Sequence, residues 1–244
     1  LKFSIDEIGN FEETTWLPED FVVKTMRNWM DAQDNNINSV VSYLLFRQVV
    51  EKDFIDKTLR SIDTPSYTMD LEIQNIIETL ATSNGTREYL NPIETKLITV
   101  ESSSVIPKRE LENLFTGAKN PKDSIFQTMP GENNFACIGF LDFLKINVSS
   151  YKIRSAEKNW PLSWIVEGSN DKENWITIDI KSGVDDVSGE FKEATFQVEP
   201  KGFFKYFKIA QRGINSNGNL QFLLTAFDIS GVVKIVEQKL TNTV

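Results

Sequence analysis

Short runs of alternating apolar and polar residues, each cut off by turn-forming residues, fill the second half of the chain and restrict its fold more than any other feature. INVSSYKI, SWIVEG, WITIDI, ATFQVE, FKYFKIAQ and LQFLLTAFDISG follow one another from Ile146 to Gly231, with breakers such as AEKNWPLS and GSNDKEN between them. Strands this short need neighbours. Roughly seven or eight of them, spaced about ten residues apart, predict an antiparallel sandwich or jelly roll. In the first run Ile146 and Val148 lie on one parity and Tyr151 and Ile153 on the other. A strand with one buried face can keep both pairs inward only by inserting a residue, so a β-bulge is predicted near Ser149 and Ser150. Trp164 and Trp175 are expected in the core.

From Leu1 to about Asn91 the apolar spacing is helical instead. Pro18, Glu19 and Asp20 suit a helix start, and Phe21, Val22, Thr25, Met26 and Trp29 then form one apolar face. Val40, Val41, Leu44 and Leu45 begin a second helix, and Phe54, Ile55, Leu59 and Ile62 form a third. Leu71, Ile73, Ile76, Ile77 and Leu80 mark a fourth, closed by Asn84 and Gly85. The expected class is therefore α+β in two segments. An antiparallel helical segment spans 1–91, an all-β sandwich spans 92–235, and a tail spans 236–244, with the boundary at Asn91-Pro92. LITVE, from Leu97, is expected to be a strand, and the Gly- and Pro-rich stretch 117–134 a projecting loop.

The chain has 244 residues, 40% of them hydrophobic, and a net charge of −9. Residues 1–92 hold 8 basic and 16 acidic side chains. Neither half has a basic stripe, which disfavours nucleic acid as a partner. No apolar run approaches the roughly 20 residues of a membrane-spanning helix. The single cysteine, Cys137, allows no internal disulfide, which favours a reducing, cytoplasmic setting. The chain contains no histidine, which removes imidazole bases, Ser-His and Cys-His pairs and His-ligated zinc. A non-enzymatic role is expected.

The segment from Ile138 to Gly231 resembles the discoidin domain, also called the coagulation-factor type C domain, a galactose-binding-like jelly roll. LDF, YKIRS, SWIVEGSNDKENW, FKYFKI and AFDISG match its motifs in order, with Asp228 where many relatives carry Glu. LPEDFVVKTMRNWM followed by VVSYLLFRQVVEKDFIDKTL is similar to the second half of a BACK domain. Together these resemble the BTB-BACK-discoidin order of intracellular adaptors. The resemblance implies a protein that recognises a partner, most readily another protein, through the loops at one end of its jelly roll. A structural component of a large assembly such as a cytoskeletal lattice, and a secreted carbohydrate- or lipid-binding discoidin lectin with a glycan partner, are the alternatives.

Strand reversal puts the loops at 117–134, 155–163, 181–194 and 211–219 at one end and GSNDKEN at the other. Candidate binding residues in the first set are Trp160, Asn159, Arg154, Arg212, Asn215, Asn217, Phe126 and Met129. They combine aromatic surface, a fork for carboxylates and amide donors and acceptors. Asp185, Asp186 and Glu190 could supply oxygen ligands to Ca²⁺, although a solvated acidic turn explains them as well. No cofactor is expected.

Overall fold

A computed structural model of the chain describes residues 68–82, 88–141 and 144–236. The three helices expected between Pro18 and Ile62 lie outside the described residues, as does most of the expected C-terminal tail. Two antiparallel sheets face each other. The first runs β1 (Thr68–Ile73), β11 (Ala226–Val236), β5 (Leu144–Arg154), β8 (Glu193–Gln197). The second runs β2 (Ile98–Ser102), β4 (Phe135–Phe140), β9 (Tyr206–Gln211), β6 (Trp164–Ser169), β7 (Ile176–Lys181). A two-stranded pair of β3 (Phe126–Gln127) and β10 (Leu223–Leu224) closes one end. The described residues contain one α-helix, α1 (Ile76–Thr82), and 3₁₀ turns at Leu111–Phe115 and Pro121–Asp123. This is the predicted sandwich. None of the helices among the described residues is long and apolar enough to cross a membrane.

The fourth predicted helix needs correction. Leu71 and Ile73 belong to β1, which pairs in register with β11 from Thr68 opposite Val236 to Ile73 opposite Gly231. Only Ile76, Ile77 and Leu80 lie on a helix, and all three are buried in the same core as the sandwich. The two-residue step from Leu71 to Ile73 is a strand period, and the three- and four-residue steps after it are helical. Asn75, at φ 46°, makes the turn between them. Residues 68–82 therefore share the β sheet and its core.

The two sheets enclose aromatic and branched side chains. Trp164, Tyr151, Phe207, Ile138, Val166, Ile209, Ile153 and Ile229 are fully buried. The bulge lies where parity demanded it. Ser150 faces Ser230 and Val148 faces Gly231, so Ser149 is the extra residue and both apolar pairs point inward. Gly231, at φ +156°, is required there. A Cβ on it would overlap the Asn147 carbonyl oxygen and lie 2.9 Å from Val148 Cα. Gly231→Ala is expected to cost about 2 kcal/mol or more, the scale of strain at such backbone sites. Chemical denaturation checks this, and an unchanged midpoint would mean that the strands can separate without cost.

Trp175 is not in the core. It is half-buried on the outside of the second sheet, with Lys208 Nζ 4.0 Å from its ring centroid and its Nε1 donating to the Lys172 carbonyl at 2.9 Å. Cys137 is buried on β4, and burial pushes its thiol up to about 12, so it stays protonated and inert.

Candidate functional site

The loops leaving β5, β7 and β9 meet the segment between β2 and β4 at one end of the sandwich, as strand reversal requires. Main-chain bonds join them: Ser216 N donates to Trp160 O at 3.1 Å, Val184 N to Leu162 O at 2.8 Å and Gly131 N to Leu220 O at 3.4 Å. Lys122 and Glu157 bridge two of these loops at 3.8 Å. GSNDKEN lies at the other end, where Asn170 Nδ2 donates to Phe203 O at 3.0 Å. Asp171 closes that turn by accepting from the Glu173 and Asn174 amides at 2.9 and 2.8 Å. The Asn174 side chain, donating from Nδ2 at 2.8 Å, and then these backbone bonds hold its carboxyl well below the usual range.

A cleft of about 320 Å³ opens at the loop end, lined by the polar residues Arg109, Gln127, Glu157, Lys158, Asn159 and Gln221 and the apolar residues Ile125, Ala156 and Leu223. Its floor is held by backbone bonds. Ile106 N donates to Gln127 O at 2.9 Å, and Gln127 N donates to Arg109 O at 3.0 Å. Gln127 also faces Leu223 in the β3–β10 pair, so three chain segments lie side by side beneath the opening. Asn159, also in the lining, adopts φ 60°, a left-handed conformation that Asn tolerates better than most residues. Its Oδ1 accepts from Asn217 Nδ2, and its own Nδ2 has no partner among the described residues.

Gln127 and Asn159 are 9% and 8% exposed, so both residues lie largely within the fold while lining the cleft. The Gln127 side chain has no hydrogen-bond partner among the described residues, and neither does the Arg109 guanidinium or the Lys158 ammonium. Side-chain donors and acceptors that the protein leaves free at one opening suit a ligand that supplies their partners.

Of the predicted site residues, Asn159 lines the cleft and Asn217 holds it in place. Trp160 is half-buried beside it. Arg212 and Met129 are exposed on neighbouring loops and are not among the residues lining the cleft. Three expectations are corrected. Phe126 is fully buried, edge-on to Phe222 at 6.3 Å between centroids, because 117–134 folds back through β3 instead of projecting. Arg154 spends its guanidinium on Thr225, donating from Nε to Oγ1 and from Nη2 to the carbonyl, each at 3.0 Å. Asn215 is 1% exposed and shapes its loop, donating to Asn219 Oδ1 and Gln221 O and accepting from the Asn217 and Asn219 amides. Asp185, Asp186 and Glu190 are exposed, and among the described residues no three acidic or thiol side chains converge on a point that could hold a metal.

Sequence reasoning missed Arg109, Gln127, Lys158 and Gln221. Lys158 adjoins Asn159 and was within reach of the loop argument. Arg109 and Gln127 meet only through the pairing of Ile106 with Gln127 across the long β2–β4 connection, which has no local signature.

No protein-family model matches the sequence, and no curated protein matches it. Solved structures resemble the fold. One is a family 32 carbohydrate-binding module of Clostridium perfringens in complex with GalNAc-β-1,3-galactose, at 11% identity and a TM-score of 0.44, covering 55% of this chain and 95% of that one. Another is the family 32 module of C. perfringens NanJ in complex with galactose, at 10% identity and a TM-score of 0.45, covering 55% and 94%. A third is the family 32 module of AlyQ in complex with 4,5-unsaturated mannuronic acid, at 17% identity and a TM-score of 0.43, covering 54% and 92%.

Proposed function

We propose that the chain is a non-catalytic binding module that holds a saccharide in the loop-end cleft. The observation that carries this reading is that Gln127, whose side chain has no partner among the described residues, and Asn159, whose Nδ2 has none, line one opening. Amides that both donate and accept suit ring hydroxyls, which do the same. A volume of about 320 Å³ is at the small-ligand end of binding sites. A protein partner would instead bury about 800 Å² on each side, and no feature of the loop end favours the adaptor reading over the carbohydrate-binding one. Glu157 is the one carboxylate among the described residues lining the cleft, whereas glycoside hydrolysis typically requires two.

Titration of the full chain with mono- and disaccharides by calorimetry tests this reading. The expected result is saturable binding that weakens about tenfold in Gln127→Met, which keeps the side-chain length and removes the amide, while the thermal midpoint stays unchanged. Binding that is indifferent to Gln127→Met would place the ligand elsewhere.

A further inference from the structure

Several cations in this acid-rich chain find carboxylates. Lys172 meets Glu101 at 2.5 Å, Lys208 meets Glu167 at 2.8 Å and Lys181 meets Asp179 at 3.0 Å. Arg109 does not. Its neighbour Glu110 turns its Oε1 to the Lys108 amide at 2.9 Å, and no described carboxylate reaches the guanidinium. Lys158, an exposed residue of the same cleft, is likewise without an ion pair among the described residues, and Glu157 lies 3.8 Å from Lys122. Among the described residues, two cations without an ion pair, Arg109 and Lys158, thus stand at one small opening beside a single carboxylate, Glu157.

The Arg109 backbone is also fixed in place. Its amide donates to Ile106 O at 2.9 Å and its carbonyl accepts from Gln127 N at 3.0 Å, so the base of the side chain is held beside the Gln127 amide before any ligand arrives. A planar guanidinium matches a carboxylate through two parallel hydrogen bonds.

Given the saccharide reading above, on which this step rests, we infer that the ligand is an acidic sugar. The Arg109 guanidinium grips its carboxylate, Lys158 adds attraction from the rim, and the Gln127 and Asn159 amides take the ring hydroxyls. The site thereby selects uronic-acid-type units over their neutral parents.

The test compares galacturonate and glucuronate with galactose, glucose and galactose 6-sulfate on the full chain, by calorimetry at two salt concentrations. Both uronates should bind about tenfold or more tightly than the neutral sugars, the advantage of a charge-assisted pair, and should weaken as salt rises. Arg109→Gln should bring the ratio close to one while neutral-sugar binding persists. Arg212→Gln, which removes one positive charge from an exposed loop residue outside the cleft lining, should leave the ratio intact. Equal affinity for acidic and neutral sugars, or a preference that survives Arg109→Gln, overturns the acidic-sugar assignment and spares the saccharide reading. Tighter binding of the sulfate ester than of the uronates overturns the carboxylate in favour of another anion. Absence of binding by every sugar overturns both readings.

Discussion

Trp164→Ala should lower the stability of the β sandwich by about 3–5 kcal/mol, the usual cost of truncating a buried aromatic side chain. Trp164 is fully buried and meets Phe196 edge-on at 5.3 Å between centroids. Its Nε1 donates to Tyr151 Oη at 2.8 Å, and Tyr151 donates in turn to Asp179 Oδ2 at 2.7 Å. Burial, followed by the bond to Asp179, holds the Tyr151 phenol far above its ordinary range, so Tyr151 keeps its proton and stays a donor to Asp179. The substitution opens a cavity between the sheets and leaves the Tyr151 oxygen without its donor. Trp164→Phe retains most of the volume but not the donor and should fall between the two. Denaturant unfolding checks the series, and a loss below about 1 kcal/mol for the alanine variant would mean that the two sheets can collapse onto the vacancy.

Asp228 should make the fold weaken as pH rises from about 4 to about 6. The carboxylate is 6% exposed on β11 and accepts from Ile77 N at 2.9 Å, Glu78 N at 3.1 Å and Ile229 N at 2.7 Å, so it holds the start of α1 against the sheet. Those three donors and the nearby Lys152 favour the anion, but burial outweighs them and raises the pKa to about 6. The folded chain then holds this proton where the unfolded chain, with an aspartate near 3.9, has released it. Its stabilising contribution is complete below pH 4 and is lost through pH 6, a change on the order of 3 kcal/mol. Asp228→Asn keeps an acceptor for the α1 amides and carries no charge. The difference in unfolding free energy between wild type and Asp228→Asn should therefore shift in favour of the variant between pH 4 and pH 7. A difference that stays flat across that interval would show that the carboxylate is already ionised at pH 4.

The sandwich was legible in the sequence because a half-buried strand writes its two-residue period into its residues. Ile146, Val148, Tyr151 and Ile153 even recorded the bulge, since their parity cannot be reconciled without it. Trp175 misled because an indole can be satisfied outside the core when a lysine covers its face. Leu71 and Ile73 misled because a short strand running into a short helix mixes two periods within a dozen residues. The site was half legible. The meeting of the loops followed from strand reversal, and Asn159 came with its loop, but Arg109 and Gln127 are brought together by main-chain pairing that side-chain chemistry does not announce.

The central claim is that the loop-end cleft holds the ligand, and backbone amide chemical shifts of the full chain during titration with galacturonate test it most directly. Saturable shifts are expected at Arg109, Gln127, Lys158, Asn159 and Gln221, with the outer face around Trp175 and Tyr206 unmoved. Shifts centred on that outer face, or shifts absent from all five cleft residues at saturating sugar, would contradict the account.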